Sequence, residues 1–330
     1  MSIKPLLVLN SNPTLFPERI NIVIPLFNDW PAVSMLLERI REMVDEPLRN
    51  RLAFLIVDDC SSINFEKLPS GVGQSLSILR LYRNVGHQKA IALGLAYLAD
   101  QPEPYPTIVM DSDGEDRPED ITQLLQTGAA NPNRVVFAHR AKRHESLMFR
   151  TFYKVYKMVF RLLTGKVITF GNFSLVPAAQ LRKLAHVSEI WNNYPGGVIR
   201  SRLPYTAVPL ERGRRLAGES KMNFVSLILH GLSAVSVLMD TTAVRLALFC
   251  VLMVVISVVG ISVVIGLRLF TDTVVPGWAT YLVFSLLIII LQAFLISLLL
   301  VFMMLSYRTQ PQFIPARQFR EFIERVEQVY

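Results

Sequence analysis

The sequence predicts an α/β domain with a mostly parallel, Rossmann-like sheet, followed by interfacial helices and two transmembrane helices. Three observations lead to this fold class. Apolar runs rich in β-branched residues alternate with helical patterns over the first half of the chain, which is typical of a parallel sheet covered on both faces. Two long runs near the end, 246–267 and 278–307, contain no Asp, Glu, Lys, Arg or His, and residues 222–240 before them are largely apolar.

The elements of the α/β part follow from the order of these patterns. The first apolar run, INIVIPL, is interrupted near its end by Pro25. Proline is common in the first turn of a helix, so Pro118 marks a predicted helix start. The predicted strands are 20–26, 52–57, 76–81, 107–110 and 135–138, and the predicted helices are 31–43, 87–99 and one that begins at Pro118. Ligands bind beyond the carboxyl ends of strands in such sheets, so we expect the functional site there.

The chain divides into four predicted regions. The α/β domain spans 1–221, interfacial helices span 222–243, two transmembrane helices lie within 244–307 (about 244–268 and 277–305), and a cytoplasmic tail spans 308–330. Each uncharged run is long enough to cross a hydrocarbon core of about 30 Å at about 1.5 Å per helical residue. A buried core helix is the alternative for one such run, but two side by side favour an integral membrane protein.

Charge predicts the orientation and excludes some partners. Arg245 precedes the first run and four arginines follow the second, whereas the linker 268–277 holds one Arg and one Asp. The α/β domain and both termini are therefore predicted on the cytoplasmic side. The net charge of +8 is explained by a protein on an anionic leaflet, so we predict the lipid bilayer, and no nucleic acid, as a partner. The two cysteines exclude a disulfide framework.

A helical pattern at 146–163 combines regularly spaced Arg and Lys with aromatic residues. Such a basic face beside aromatic side chains suits a membrane surface. A core helix with a solvated basic face explains the same pattern, and the sequence leaves both interpretations open.

Acidic residues follow two of the predicted strands. Asp111-Ser112-Asp113 comes directly after the strand at 107–110, with Glu115 and Asp116 close by, and Asp58-Asp59 ends the strand at 52–57. Carboxylates crowded at one edge of a sheet repel each other unless a cation or sugar hydroxyls lie between them. Mg²⁺ and Mn²⁺ prefer such oxygen ligands, commonly one or two carboxylates together with substrate phosphates. The sequence therefore predicts a divalent cation, Mg²⁺ or Mn²⁺, at Asp111 and Asp113.

Basic residues supply the matching charge. They follow the fifth strand and flank a turn that contains Gly and Ala, at Arg140, Arg143, Arg212, Arg215 and Lys221. Arginine forks and lysine ammonium groups bind phosphate oxygens, although adhesion to anionic lipid explains any single one of them. The chain contains no GxxxxGK[ST] loop, and Gly71-Val72-Gly73 precedes its strand, so the dinucleotide fingerprint is not met.

The ordered motifs resemble the polyprenyl-phosphate glycosyltransferases of glycosyltransferase family 2, relatives of dolichol-phosphate mannose synthase. The resemblance runs from about residue 21 to 307. It is carried by five motifs followed by a two-helix anchor: IPLFND at 24–29, DDCS at 58–61, RNVG at 83–86, DSD at 111–113 with Pro118-Glu119, and RGRRLAGESK at 212–221.

The resemblance implies a GT-A fold and roles for the matching positions. The nucleotide-sugar contacts would be Pro25, Phe27, Asp29, Asp58, Asp59, Asp111 and Arg140, and the metal ligands would be Asp111, Asp113 and Glu115. The acceptor phosphate would meet Arg140, Arg143, Arg212, Arg215 and Lys221, and the catalytic set would be Asp111, Asp113, Arg215 and Lys221. The resemblance also implies a bacterial inner-membrane location and a homo-oligomer, a tetramer, formed through the anchor and C-terminal segments.

Three positions depart from the family pattern. Glu115 stands where relatives often have Gln, Arg117 replaces a Pro, and Asn172 stands where many relatives have Asp. A sugar hydroxyl needs a general base when it attacks, whereas a phosphate monoester is mostly a dianion at neutral pH because its second pKa is about 6. The loss of an Asp at 172 therefore favours a phosphate acceptor.

We thus predict a metal-dependent hexosyltransferase that moves a hexose from a UDP- or GDP-linked donor to a polyprenyl phosphate on the cytoplasmic leaflet, with inversion. Two alternatives remain at this point. A processive polysaccharide synthase would share the nucleotide site but carry more spans and a Gln-x-x-Arg-Trp motif, which this sequence lacks. A membrane-anchored binding protein with a degenerate site would hydrolyse no donor.

Overall fold

The computed structural model describes residues 17–63, 68–140, 157–166, 170–211, 213, 215–217, 231–271 and 277–330, with the side chains at positions 140 and 308 outside the description. The chain forms two compact units. A globular unit comprises Met1–Glu145, Ile168–Val237 and Phe313–Tyr330, and a helical unit comprises Ser146–Val167 and Leu238–Gln312.

The globular unit is built on a mixed sheet, in which the described residues contribute eight strands. They are β1 (Ile20–Leu26), β2 (Leu52–Asp58), β3 (Ser75–Leu81), β4 (Thr107–Val109), β5 (Val135–Arg140), β6 (Phe170–Val176), β7 (Tyr205–Leu210) and β8 (Ile323–Gln328). Their order is β7-β5-β6-β4-β1-β2-β3-β8. Because only β6 and β8 pair antiparallel with their neighbours, six strands end at the same edge of the sheet.

Helices cover both faces of this sheet. They are α1 (Trp30–Met43), α2 (Glu46–Arg49), α3 (His87–Ala99), α4 (Ile121–Ala130), α5 (Ala178–Ala185) and α6 (Tyr194–Arg200). Side chains of α1 and α4 pack in one apolar core, and those of α3, α5 and α6 pack in a second core on the opposite face. Both β1 and β2 are buried along their whole length, which explains their continuously apolar sequences. The predicted mostly parallel α/β sheet is confirmed.

The chain closes the sheet with a strand that the sequence patterns do not predict. After a short helix, α9 (Pro315–Gln318), β8 pairs antiparallel with β3 at the sheet edge. Tyr330 extends this contact, because its carbonyl accepts a hydrogen bond from the Leu76 amide at 3.1 Å. The segment predicted as a tail therefore contributes an edge strand to the globular unit.

The helical unit contains two long apolar helices, α7 (Met239–Phe270) and α8 (Trp278–Thr309). Their apolar stretches have mean hydropathies of 3.1 and 3.0, and only 17% and 6% of the most apolar windows are buried. A core helix of a soluble protein would be mostly buried, so this exposure favours the predicted spans. The first helix begins at Met239, ahead of the start expected near residue 244. Of the predicted interfacial region, 222–243, residues 222–230 lie outside the described residues and residues 231–236 are helical.

Part of the predicted basic helix is also described. Residues 157–164 are helical, with Met158 and Leu162 more than half exposed while Phe160 is buried. The Arg245 guanidinium donates hydrogen bonds to the carbonyls of Arg161 and Leu162 at the end of this helix, at 3.2 and 2.7 Å. The exposed apolar side chains favour the membrane-surface interpretation over a solvated core helix.

Candidate active site

Polar residues converge where the parallel strands end. Asp29 follows β1, Asp58 ends β2, Asp111 follows β4 and Arg215 follows β7. The strands that carry them all end at one edge, because they are parallel within the sheet. This is the edge at which the sequence predicted the site.

The acidic turn after β4 is fixed by its own side chains. Asp116 is 3% exposed, and its carboxylate accepts a hydrogen bond from the Asp111 amide at 2.9 Å. The Asp113 carboxylate accepts one from the Glu115 amide at 3.0 Å. Gly114 between them has a φ of +78°, a left-handed conformation that favours glycine. Two of the three predicted metal ligands, Asp111 and Asp113, are therefore held on a preorganised turn.

Arg215 joins this turn to the end of β1. Its guanidinium donates to the carboxylate of Asp29 at 2.8 Å and to that of Asp113 at 3.2 Å, and its Nε donates to the Ala217 carbonyl at 2.9 Å. The side chain is 23% exposed, so its charge lies at the surface of the site and within reach of a ligand. The guanidinium of Arg215 thus bridges two of the predicted site carboxylates, those of Asp29 and Asp113.

The segment around Arg215 lies close against the acidic turn. The amide of Gly213 donates to the Glu115 carbonyl at 2.8 Å, and the amide of Leu216 donates to the Asp113 carbonyl at 2.9 Å. A Cβ on Gly213 would come within 2.7 Å of the Gly114 carbonyl oxygen, and one on Gly114 within 2.3 Å of the Leu216 side chain. Glycine is required at both positions, since any side chain would force the two segments apart.

The cluster carries excess negative charge. Burial raises the pKa of Asp113, and the nearby charges of Asp111 and Glu115 raise it further, against the opposing effects of the Glu115 amide and Arg215. A raised carboxyl pKa means that the ionised form is disfavoured, which a bound cation would reverse. The electrostatics therefore fit a divalent cation at this turn.

Asp111 has a second set of partners on α3 and β6. Its Oδ1 lies 3.1 Å from Nε2 of His87 and accepts a hydrogen bond from the Asn172 side-chain amide at 3.3 Å. Asn172 also lies 2.9 Å from the same His87 nitrogen and accepts a bond from Gln88 at 3.0 Å. The side chain of His87 is 45% exposed; partial desolvation lowers its pKa, but the charge and hydrogen bond of Asp111 outweigh this effect and raise the pKa.

Asp58 is almost fully buried at the end of β2. It is 1% exposed, accepts a hydrogen bond from the Ser61 amide at 2.9 Å and forms a salt bridge with Arg80 at 3.1 Å. Both carboxylate oxygens therefore have protein partners. This arrangement favours a role in shaping the loop after β2, and direct contact of Asp58 with the nucleotide stays a prediction.

Asp59 faces the loop before α3. Its two oxygens accept hydrogen bonds from the amides of Val85 and Gly86, at 2.6 and 2.8 Å. Burial raises its pKa, against the effect of these two bonds. The geometry favours a structural role for Asp59 over the predicted direct contact with the donor.

We expect Asp59→Asn to lower the apparent Tm in detergent by about 3–10 °C. Asparagine would set an N–H against one of two backbone N–H donors and leave that donor without an acceptor. Differential scanning fluorimetry measures this shift. The exposed Asp45→Asn variant is the matched control, and equal Tm values for the two variants would contradict this role of Asp59.

The loops after β1 and β2 are joined through Asn28, which has a φ of +51°. Its side-chain oxygen accepts hydrogen bonds from the amides of Ser62 and Ile63 at 2.9 and 3.1 Å, and its amide donates to the Ser61 hydroxyl at 2.9 Å. The neighbouring Phe27 is 45% exposed, whereas Pro25 is buried within β1. The joined loops thus present an aromatic ring on which a nucleobase could stack.

Comparison with known proteins decides the family. Residues 21–191, more than half of the chain, match the family described as glycosyl transferase family 2. The chain belongs to glycosyltransferase family 2. The matched region contains β1 to β6 and the acidic turn after β4, so the mostly parallel sheet of this chain is the GT-A fold expected from the resemblance.

Two curated relatives extend the similarity beyond the family 2 region. The chain is 28% identical over 276 residues to the uncharacterized glycosyltransferase YkcC of Bacillus subtilis (strain 168), covering 81% of this chain and 83% of the relative. It is 26% identical over 280 residues to the undecaprenyl-phosphate 4-deoxy-4-formamido-L-arabinose transferase of Salmonella choleraesuis (strain SC-B67), covering 82% and 81%.

Among solved structures, the glucosyl-3-phosphoglycerate synthase of Mycobacterium tuberculosis in complex with Mn²⁺, UDP and glucosyl-3-phosphoglycerate aligns with a TM-score of 0.46 and 16% identity. The alignment covers 68% of this chain and 80% of that one.

Some predicted site residues of this family 2 chain lie outside the described residues. These are Arg143, Arg212 and Lys221. Arg140 ends β5, and its side chain is likewise outside the description. The proposed roles of these four basic residues stay predictions.

The structure adds two residues that the sequence analysis did not name for the site: His87 lies next to Asp111, and Arg80 pairs with Asp58. It also assigns contacts to two residues that the sequence analysis did name, because Asn172 bonds to Asp111 and Asp116 fixes the acidic turn. Arg80 had a detectable signal, because it is the charged residue in the otherwise uncharged strand β3. The position of His87 had none, because it depends on where α3 lies relative to β4.

The carboxylates at the acidic turn fit a divalent cation that takes its remaining ligands from the substrate. Among the residues that the structure describes, no three or more His, Cys, Asp or Glu side chains converge as a preformed metal cage, so the predicted trio of Asp111, Asp113 and Glu115 is not assembled as one. Two carboxylates are nevertheless a common protein contribution to a Mg²⁺ or Mn²⁺ ion that takes its other ligands from a diphosphate and water.

Proposed function

We propose that this chain transfers a hexose from a UDP- or GDP-linked donor to a polyprenyl phosphate. In a single displacement, an oxygen of the acceptor phosphate attacks the anomeric carbon, the bond from that carbon to the donor diphosphate breaks, and the nucleoside diphosphate leaves. The anomeric configuration is inverted. The observation that carries the proposal is the bridging of Asp29 and Asp113 by Arg215 at the edge where the parallel strands end.

The donor would lie along this edge. Phe27 would stack on the base, and the joined loops after β1 and β2 would hold the ribose. Asp111 and Asp113 would hold the divalent cation, which neutralises charge on the leaving diphosphate when bound. Arg215 is held close to the same position and adds a fixed positive charge. Because Arg215 is already oriented by two carboxylates, little of its conformational freedom is lost when the donor binds.

Three observations support a phosphate as the acceptor. Asn172, which lies beside Asp111, is an amide and cannot serve as a general base, whereas a phosphate dianion needs none. The relative from Salmonella is named for transfer to undecaprenyl phosphate, and the similarity covers most of both chains. The two long apolar helices would keep the enzyme at the bilayer in which a polyprenyl tail lies.

His87 is a candidate general base for a different acceptor, a hydroxyl group. A sugar or polyprenol hydroxyl would need a base, and the imidazole of His87 lies at the site, 3.1 Å from Asp111. Tests of the function therefore compare a lipid phosphate with the corresponding lipid alcohol.

The proposed membrane placement follows from charge. Arginines flank the two apolar helices on the sides of the chain termini, so we place the catalytic domain and both termini on the cytoplasmic side. A homo-oligomer formed through the anchor remains part of the proposal. Labelling of single introduced cysteines in sealed vesicles would test the orientation.

A phase-partition assay tests the function. Purified protein in detergent is incubated with labelled UDP- and GDP-sugars, polyprenyl phosphate, and Mg²⁺, Mn²⁺ or EDTA. We expect one donor to transfer its label into the organic phase, and EDTA to lower that transfer at least about tenfold.

Other outcomes of this assay would favour other functions. Nucleotide release without labelled lipid would retain the donor site but indicate another acceptor, as in a polysaccharide synthase. An absence of turnover with every donor would contradict the proposal and favour a membrane-anchored binding protein. Transfer that persists fully in EDTA would contradict the cation.

A further inference from the structure

The edge strand β8 brings the carboxylate of Glu327 next to Arg80 of β3, the residue that pairs with Asp58. In the antiparallel register, Arg80 of β3 lies opposite Arg325, and Glu327 lies opposite Ile78, two residues away along β3. Side chains diagonal to one another across an antiparallel pair are within reach when they are long. Glu327 is therefore placed to contact Arg80 from the C-terminal end of the chain.

Arg80 lies between two carboxylates. Its Nη1 donates to Asp58 at 3.1 Å, its Nε donates to Glu327 at 3.0 Å, and its side chain is only 13% exposed. The rigid fork of a guanidinium fixes the direction of one hydrogen bond when the other is made. The contact with Glu327 thus helps to determine where Arg80 presents its second nitrogen to Asp58.

Asp58 in turn holds the loop that follows β2. Its second oxygen accepts a hydrogen bond from the Ser61 amide. The amides of Ser62 and Ile63 donate hydrogen bonds to Asn28, which lies in the loop that carries Phe27. Trp30 also contacts the loop after β2, because its indole N–H donates a hydrogen bond to the Ile63 carbonyl at 2.8 Å. A continuous set of contacts therefore runs from Glu327 through Arg80 and Asp58 to the two loops of the donor site.

We propose that Glu327 is a positioning residue for nucleotide binding, which acts through Arg80 and Asp58 on the loops after β1 and β2. The inference rests on the proposed function only in taking these loops as the nucleotide subsite. It gives the C-terminal segment, which follows the apolar helices, a role in the donor site.

The strand offers a matched control. Glu324 lies on the same edge strand, is 42% exposed in its side chain and pairs with Arg325 at 2.8 Å, whereas Glu327 is 32% exposed and pairs with both Arg80 and Arg325. Replacing either glutamate by glutamine changes the net charge of the edge strand β8 by the same amount. Of the two, the structure connects only Glu327 to Arg80.

The test measures nucleotide affinity without requiring lipid transfer. UDP and GDP are titrated with Mn²⁺ into full-length protein in detergent by isothermal calorimetry, for the wild type, Glu327→Gln and Glu324→Gln. For the nucleotide that the wild type binds, we expect the Kd of Glu327→Gln to rise about three- to tenfold and that of Glu324→Gln to stay within about twofold. If transfer is active, the KM for the donor should rise likewise, with the KM for the lipid unchanged.

The possible failures are distinguishable. An unchanged Kd in Glu327→Gln, or an equal rise in both variants, overturns the positioning role even if lipid transfer is confirmed. A selective rise in Kd supports it even if the acceptor proves not to be a lipid phosphate. A wild type that binds neither nucleotide overturns the nucleotide subsite and, with it, this inference.

Discussion

Replacing Asp113 by asparagine is expected to lower the transfer rate by about 10²–10³-fold while the protein still folds and inserts. Asp113 is the residue at which the proposed cation site and the Arg215 bridge meet, because its carboxylate accepts from both the Glu115 amide and Arg215. An amide keeps the shape of the side chain but removes the negative charge. The rate is measured by the phase-partition assay at saturating donor.

The Asp113 variant should still fold, because its amide oxygen can keep the bond from the Glu115 amide while its N–H₂ faces Arg215, which is 23% exposed and can bind water instead. Burial and like charges also disfavour the ionised carboxyl in the absence of a cation. The control is Asp100→Asn, which removes an exposed carboxylate paired with Arg320. We expect Mn²⁺ to raise the Tm of the wild type and of Asp100→Asn but not that of Asp113→Asn. A near wild-type rate for Asp113→Asn would remove this residue from the metal site.

Replacing Arg215 by alanine is expected to lower kcat/KM by about tenfold to more than a hundredfold, because a charge-assisted hydrogen bond contributes about 1.5–3 kcal/mol. Arg215→Lys should recover only part of this loss. A lysine ammonium keeps the charge, but it lacks the planar fork with which Arg215 donates to Asp29 and Asp113 together. Steady-state kinetics with varied donor measure both variants.

The control for Arg215 is Arg320→Ala, since Arg320 is 76% exposed and forms a surface salt bridge with Asp100, away from the acidic turn. We expect its kcat/KM to stay close to that of the wild type. Full activity of Arg215→Ala would show that the bridge between β1 and the acidic turn is structural and makes no contact with the donor. Equal values for Arg215→Lys and the wild type would contradict the need for a fork.

Much of the donor site could be predicted from the sequence, for a specific physical reason. The strands β1, β2 and β4 are buried on both faces and therefore appear as continuous apolar runs, and polar residues directly after such runs must lie at one edge. This located Asp58, Asp111 and Asp113. The two apolar helices were equally visible, because an uncharged run long enough to cross a bilayer is rare in a soluble domain.

Other parts depend on contacts that local patterns do not encode. The edge strand β8 is mostly exposed and carries charged residues, so its sequence lacks the apolar alternation that marks a strand. Its pairing with β3 joins residues about 250 positions apart, such as Arg80 and Glu327. The placement of His87 and Asn172 around Asp111 likewise requires α3 and β6 to be positioned in the folded sheet.

The structural roles of Asp58 and Asp59 show a related limit. A pair of carboxylates at a strand end looks the same in sequence whether it binds a ligand or its own backbone. In the folded chain Asp59 accepts two backbone amides and Asp58 accepts one, together with Arg80. Asp113 also accepts a backbone amide and an arginine, so exposure is what separates the two pairs. Asp58 and Asp59 are at most 2% exposed, whereas the side chains of Asp111 and Asp113 are 22% and 20% exposed.

The central claim is that a lipid phosphate accepts the sugar, and acceptor choice tests it most directly. Purified wild-type protein is given the active donor with either undecaprenyl phosphate or undecaprenol, and the lipid products are identified by mass spectrometry. We predict a glycosylated lipid monophosphate from the first acceptor, at least about a hundredfold less product from the second, and at least about a hundredfold less product from Asp113→Asn than from the wild type with the first acceptor. Equal glycosylation of undecaprenol, or sugar released only to water, would contradict the account.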